Sequence, residues 1–247
     1  MGALIQFEHV SKTLGHTHIL NNFSFSIEDN KIFCIIGPSG CGKTTILQML
    51  AGLEQPDKGR ITGLTGQRIS YVFQESRLLP WKTVAGNLDF VLRDVLPPAE
   101  KERLIDHYLK TMGLDGYRDS YPKALSGGMK QRLAICRALA YPHDILLMDE
   151  PFKSLDMPLR MSLVQYVAKL WQTNPRTIVF VTHDIIEALL LGHRIMVLAA
   201  RPTKILETID LDMPLDRRNM GEELLGSLYA RLLGLLEKEN KKSFKDI

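Results

Sequence analysis

Four short stretches of this sequence combine residue types that handle phosphate. The run "GPSGCGKT", Gly37 to Thr44, fits G-x-x-x-x-G-K-[ST], and it stands between the strand-like "KIFCIIG" and the helically spaced "TTILQMLAGL". Gly37, Gly40 and Gly42 let the backbone curl so that successive N–H groups face an anion, with Pro38, Ser39 and Cys41 between them. The following helix points its positive end at the same place. Lys43 supplies a mobile charge for β- and γ-phosphates, Thr44 a hydroxyl for Mg²⁺, and Thr45 a contact to an α-phosphate. The run "ILLMDE" ends in two carboxylates: Asp149 can reach a Mg²⁺ shell through water, and Glu150 can take a proton from an attacking water. His183, in "VTHD", and Gln74, in "YVFQ", stand at the ends of two further apolar runs, where His183 can touch a γ-phosphate. Alone, a histidine or a glutamine is more often structural, so these two depend on the rest of the constellation.

The stretch "ALSGGMKQR" adds a difficulty. Ser126 is a capping residue for a basic amphipathic helix, and Gly127 and Gly128 allow close approach of an anion to the helix's positive end. A triphosphate wrapped by residues 37–45 has no use for a second glycine-rich helix start. The second one makes sense only against a different copy of the nucleotide.

These residues need elements to position them. "LIQFEHV", "HILNNFSFSI" and "KIFCIIG" read as strands, and Gly52 is placed to stop the helix after the phosphate loop. "PDKGRITGLTGQRISYVFQ" reads as a β-hairpin. Pro97 and Pro98 break the chain, after which Leu104, Ile105, Tyr108, Leu109 and Met112 share one helix face, ended by Gly113. From Ser126 the pattern is helix–strand three times over. The strands "DILLMDE", "TIVFVTH" and "RIMVLAA" are near-continuous apolar runs, as a parallel sheet covered on both faces requires. Asp156 caps a helix with Pro158 in its first turn, burying Leu159, Leu163, Val167, Leu170 and Trp171. A last amphipathic helix follows "NMGEELLG", with Asn219 and Glu222 spaced as a capping box and a solvated, fraying end beyond Glu237.

Composition narrows the function classes. The chain has 247 residues, room for one large α/β domain with an appended subdomain, and its net charge of +3 is too small to argue for nucleic acid. No apolar run approaches the ~20 residues of a membrane span. The start "MGALIQFEHVSK" lacks a signal-peptide pattern, and Gln6 stands where myristoylation needs Ser or Thr. Cys34, Cys41 and Cys136 are odd in number and not spaced for metal, which fits a reducing compartment.

"GPSGCGKTT", "VFQE", "LSGGMKQR", "ILLMDEP", "SLD" and "VTHD" stand in the order and spacing of the ATP-binding-cassette (ABC) transporter ATPases, and the chain resembles that family up to about Ala200. The resemblance implies an α/β P-loop NTPase fold: a RecA-like parallel sheet, an N-terminal antiparallel β subdomain and an inserted α-helical subdomain. It implies a single domain over 1–247, with 1–74 and 140–205 as nucleotide-binding core and β subdomain, 75–139 as helical subdomain, and 206–247 as C-terminal extension. It implies ATP and Mg²⁺ as cofactors, with Thr44, Gln74 and Asp149 at the metal and Glu150, His183, Lys43 and Gln74 in catalysis. In that family two copies dimerise head to tail, so Ser126, Gly127, Gly128 and Gln131 would close over the partner's ATP, and Ser154, Leu155 and Asp156 would couple the two sites. Partners would be a second copy, transmembrane permease subunits and, indirectly, a periplasmic or extracellular solute-binding protein, with the chain peripheral on the cytoplasmic face of the membrane.

"FQESRLLPWKTVAGNLDF", "DEPFKSLD" and "RPTKILETIDLDMPLDRRN" resemble the subfamily serving importers of sulfonates, taurine and nitrate. There Pro80 and Trp81 would lie where a permease helix docks, the other reading being a small core under the helical subdomain. Leu14 stands where the family has an adenine-stacking aromatic, leaving that contact weaker or supplied by His16 or His18. The region Gly59 to Phe73 is shorter than in relatives, and Cys41 in the phosphate loop reads as a small side chain, the other reading being a thiol that makes ATPase activity alkylation-sensitive. An export or lipid-moving ATPase has the same motifs. A chromosome-type clamp would need long coiled coils between Thr45 and Leu125, ribosome-acting relatives carry two cassettes, and a small-molecule kinase leaves "LSGGMKQR" unexplained.

Overall fold

The computed structural model describes residues 3–201 and 203–243, so the expectation about Gly2 and that for the last four residues lie outside it. The chain runs β1 (Ala3–Leu14), β2 (Thr17–Glu28), β3 (Ile32–Ile36), α1 (Lys43–Leu50), β4 (Lys58–Thr62), β5 (Ile69–Val72), α2 (Val84–Leu92), α3 (Pro98–Thr111), α4 (Gly127–Ala140), β6 (Ile145–Asp149), α5 (Met157–Thr173), β7 (Thr177–Thr182), α6 (Ile185–Leu191), β8 (Arg194–Leu198), β9 (Ile205–Asp210) and α7 (Glu223–Ser243). Two sheets form. One is antiparallel with order β2-β1-β4, and the other has order β5-β6-β7-β3-β8-β9, parallel except for β9.

The large sheet is the apolar middle of the molecule, and its strands alternate sides residue by residue. Ile32, Cys34 and Ile36 of β3 join one core, while Phe33 and Ile35 join the other. The same split separates Leu146 and Met148 from Ile145 and Leu147 in β6. One face is covered by α1 and the small sheet through Phe7, Val10, Phe23 and Ile27; the other is covered by α2 to α7. Both faces being dry explains why β3, β6 and β7 are buried at every position and polar only at strand ends, at Asp149, Thr177 and Thr182.

Three local expectations are corrected. Residues 56–74 do not form a hairpin: β4 pairs antiparallel with β1, and β5 joins the other sheet as a parallel neighbour of β6. The two runs differ in environment, β4 being largely exposed and β5 alternating buried positions, which a two-stranded reading cannot see. Asn219 does not cap the last helix, because α7 begins at Glu223; its Oδ1 instead accepts from Gly221 N in a local turn, and its amide donates to Glu222. The charged end is not wholly solvated beyond Glu237, since the helix continues to Ser243 and Glu239 is buried. Helix α3 starts at Pro98 as its first residue and buries Ile105, Leu109 and Met112, and Asp156 caps α5 by accepting from Leu159 N.

The C-terminal extension covers its own chain. Leu225 and Leu232 of α7 are fully buried in the helical-side core. Arg218, just before that helix, is buried and donates to four backbone carbonyls: Met213, Leu189, Gly192 and Leu211. It thereby satisfies the last carbonyls of α6 with a cation, where the helix end favours one. Burial lowers its pKa to about 10, leaving it protonated at neutral pH. Arg218→Met strands those acceptors, and urea denaturation should find the variant less stable by about 2–4 kcal/mol. An unchanged midpoint would mean the extension is held by α7 packing alone.

Candidate active site

Strand β3 ends at Ile36 and the chain turns through Gly37–Gly42 into α1, whose first residue is Lys43. Gly40 and Gly42 have φ of 76° and 97°, conformations that a side chain disfavours. Gly37 has no such φ, but a Cβ there would stand 2.8 Å from Leu198 O. Lys43 Nζ donates to Gly37 O and Pro38 O, each at 2.8 Å, so its charge lies across the mouth of the loop. Ser39 and Thr44 are exposed, and Thr45 is buried. Cys41 is buried beneath the loop, and burial raises its thiol pKa against the opposing pull of Lys43. The expected alkylation sensitivity has no basis in such a thiol, which is neither accessible nor ionised.

A second group collects at the ends of the neighbouring strands. Asp149, the last residue of β6, is 2% exposed; burial raises its pKa, opposed by a hydrogen bond from Thr44. Glu150 follows with φ of 46°, a left-handed conformation that costs a non-glycine residue about 1–3 kcal/mol and is held by Glu150 N donating to Val181 O at 2.9 Å. Its carboxylate is the meeting point of three side chains. Gln74 Nε2 donates to Oε2 at 3.3 Å, Lys153 Nζ to the same oxygen at 2.6 Å, and His183 Nδ1 lies 3.4 Å from Oε1. Burial pushes the Glu150 pKa up, but Lys153 and His183 together outweigh it and leave the group more acidic than usual. The structure therefore brings Gln74, Glu150 and His183 together and sets Thr44 beside Asp149. Thr44 and Asp149 make a hard-oxygen donor pair that suits Mg²⁺. Among the described residues no cluster of three or more His, Cys, Asp or Glu could hold a metal alone.

The second glycine-rich stretch is built differently. Ser126 caps α4, accepting from Met129 N. A Cβ on Gly127 would meet no atom within 4 Å, and one on Gly128 would make ordinary contact with Ser154 O and Leu155. Gln131 is turned away from that end: it is 4% exposed and donates to Pro151 O at 3.0 Å, fixing α4 to the loop after Glu150. It does not stand with Ser126, Gly127 and Gly128.

Sequence reasoning missed Lys153, which has no motif role but occupies the Glu150 carboxylate. It also missed a buried polar knot behind the site. Arg160 donates to Leu155 O and to Asp184 Oδ2, both at 3.1 Å, and so ties the 154–156 segment to the residue after His183. Asp184 in turn caps α6, and Thr182 donates to Glu187 Oε2 at 2.6 Å. The signal for Arg160 and Glu187 was helical spacing from Asp156 and from His183, which does not reveal that the two helices face each other.

Glu187 is almost wholly buried, and burial raises its pKa to about 7, aided by Asp184 and Glu150 and opposed by the Thr182 hydroxyl and Arg160. A raised folded-state value means stability present below pH 4.5 and lost as pH rises through about 7. His193, lowered to about 4 by burial and by Arg218 and Lys31, acts in the other direction, losing stability as pH falls below 6.5. The difference between wild type and Glu187→Gln isolates the glutamate. That variant should gain on the wild type between pH 5 and 8, by up to about 3 kcal/mol. Parallel stability curves over this interval would show that Glu187 is already ionised in the fold.

Comparison with known proteins agrees with the geometry. A family model described as ABC transporter matches residues 20–153. An uncharacterised ABC transporter ATP-binding protein of Methanocaldococcus jannaschii is 39% identical over 234 residues, 92% of this chain and 87% of that one. An aliphatic sulfonates import ATP-binding protein of Bacillus cereus is 39% identical over 224 residues, 87% of each. Among solved structures, a dimeric post-hydrolysis ATP-binding cassette bound to ADP and Pi superposes with a TM-score of 0.75 at 29% identity, covering 85% of this chain and 99% of that one.

Proposed function

Because the chain belongs to the ABC transporter family and is an ATPase of that family, we propose that it works as half of a two-copy ATP sandwich powering a small-solute importer. The observation that carries the composite site is Gly127. Nothing in the chain's own packing or backbone geometry requires glycine there, whereas a phosphate approaching from a second copy does. The ADP- and Pi-bound dimer among similar structures supports the same arrangement.

In each half, Gly37 to Thr45 receive the triphosphate of ATP, with Lys43 released from Gly37 O and Pro38 O to the β- and γ-phosphates. Thr44 and Asp149 would hold Mg²⁺, with Gln74 beside it, and that ion, when bound, offsets negative charge on the phosphate oxygens. Glu150 takes the proton of a water that attacks the γ-phosphorus while the bond to the ADP oxygen breaks. For that water to reach Oε2, Lys153 must give up its place. His183, 54% exposed, and the partner copy's signature supply positive character to the transferring phosphoryl group. Ser154, Leu155 and Asp156 pass the state of one site to the other. Leu14, at the β1–β2 turn, covers adenine together with His16 or His18, all three exposed.

The importer reading rests on the sulfonate-import relatives and on the surface around Trp81. Trp81 is 69% exposed, so it is not part of a small core. Its loop is fixed by fully buried Asn87, which bonds Leu79 through both amide atoms and donates to Lys82 O and Thr83 O. A rigid loop presenting an unsupported indole suits docking of a membrane subunit. Among the described residues no helix is long and apolar enough to cross a membrane, so permease subunits would provide the path, with this chain on the cytoplasmic face and a solute-binding protein outside.

Glu150→Gln should bind ATP, lose roughly 10²–10³ of its hydrolysis rate and accumulate as a dimer. Ser126→Arg should lose turnover while monomer affinity for ATP stays within about threefold, because the signature serves the other copy's nucleotide. Wild-type turnover in the first, or collapsed affinity in the second, removes the composite site. For transport, the chain should co-purify with a permease, and Trp81→Ala should break that association without changing ATP affinity. Uptake of a radiolabelled sulfonate by reconstituted complex, absent when the solute-binding protein is omitted, separates import from export.

A further inference from the structure

We propose that Arg201 and Thr203, in the turn between β8 and β9, are positioning residues that hold the phosphate loop in its anion-ready form from outside. The proposal rests on the reading of residues 37–45 as the triphosphate site. It concerns a segment that lies beyond the stretch matched by the family.

All three loop glycines are crowded by the same short piece of chain. A Cβ on Gly37 would lie 2.8 Å from Leu198 O, one on Gly40 3.3 Å from an Arg201 guanidinium nitrogen, and one on Gly42 3.1 Å from Thr203 Oγ1. The crowding comes with bonds. Arg201 Nε donates to Gly40 O at 2.6 Å. Thr203 Oγ1 lies 2.6 Å from both Cys41 O and Ile19 O, and Thr203 N already donates to Ile19 O at 3.2 Å. The one hydroxyl proton is shared between the two carbonyls, so Thr203 ties Cys41 O to the strand that carries Ile19. The ends of the turn are joined by Ala199 N donating to Lys204 O at 2.8 Å, and Thr203 is tied to β2 through Ile19 O.

The effect on the loop follows from the planar trans peptide, in which a carbonyl and the next N–H point opposite ways. Holding Cys41 O outward aims the Gly42 N–H inward, while the Cys41 N–H, opposite the Gly40 O that Arg201 holds, closes the loop on Pro38 O at 3.3 Å. The loop's own turn and one inward donor are thus fixed before any nucleotide arrives, which lowers the ordering cost of binding. The loop's phosphates are gripped alike in ground and transition states, so loss of a clamp weakens affinity and leaves the maximal rate alone.

The full-length chain is titrated with a fluorescent ATP analogue and Mg²⁺, and its ATP hydrolysis is followed as a function of ATP. Thr203→Val, which keeps shape and loses the hydroxyl, should raise Kd and KM roughly threefold to tenfold with kcat within about twofold. Thr203→Ser should restore the wild-type values. Arg201→Ala should act in the same direction with unchanged Tm, since its side chain is exposed, and it decides the matter if Thr203→Val does not fold. Wild-type Kd in Arg201→Ala and Thr203→Val, equal losses in the Val and Ser variants, or a fall in kcat at constant KM would overturn the proposal. Lys43→Ala serves as the control on the premise. Should it bind the analogue like wild type while the clamp variants also do, the phosphate-loop reading falls with the clamp.

Discussion

The register of one parallel ladder sets the position of everything else. β5, β6, β7 and β3 are successive neighbours, with Val72 opposite Met148, Asp149 opposite Val181, and Ile36 opposite Thr182. Four strands therefore stop along one edge, and the residues that follow each stop, Gln74, Glu150, His183 and the loop from Gly37, emerge side by side. A slip of one residue in any pair would turn its apolar set to the wrong core and carry its polar terminus out of reach. Because β6, β7 and β3 are buried on both faces, such slips are strongly disfavoured there. The site inherits its precision from a core that contains none of its chemistry.

At that edge the structure stores opposed charges close together. Lys43 is folded onto its own loop's carbonyls, and Glu150 is held in a left-handed conformation under Lys153, His183 and Gln74. The cation bonded to a carbonyl and the carboxylate bonded to an ammonium are each satisfied by groups that a nucleotide and a water can replace. Such a centre has low cost to keep and moderate cost to open, because replacement trades one charged hydrogen bond for another. Lys153 is the sharpest case: its bond to Glu150 spans three residues within one turn, and its side chain is half exposed, so it can leave for solvent without disturbing the fold.

Much of this was legible from residue order, for a physical reason. Strands buried on both faces read as unbroken apolar runs, and phosphate handling demands glycine, lysine and hydroxyl types at fixed spacing, so β3, β6, β7, the loop 37–45 and the pair Asp149–Glu150 stand out. What stayed hidden depends on pairing across long stretches of chain. Residues 56–74 look like one hairpin because two short strand-like runs flank a glycine-containing turn, yet they serve different sheets. Gln131 lies on the helix that Ser126 caps, but its position on the helix turns its side chain inward to Pro151 O. Arg160, Glu187, Arg201 and Thr203 acquire meaning only from partners 24 residues away in the case of Arg160 with Asp184 and 161 away in that of Arg201 with Gly40. No periodicity within a segment encodes those meetings.

The same long-range contacts tie the two halves of the proposed composite centre within one chain. α4, which carries the signature, is fastened to the loop after Glu150 by Gln131, and Gly128 packs against Ser154 and Leu155. Arg160 then carries Leu155 to Asp184, next to His183. In a head-to-tail pair the signature serves the partner copy's nucleotide while His183 serves its own. In the proposed pair, movement of the 150–156 loop would therefore be felt at both nucleotides, through hydrogen bonds that are buried or half-buried and short-ranged. A rigid link of this kind would couple the two proposed reactions without any hinge near the chemistry. It also explains why a residue with no phosphate to touch, such as Gln131, belongs to the stretch that carries the signature: its amide keeps that helix in step with the carboxylate it must follow.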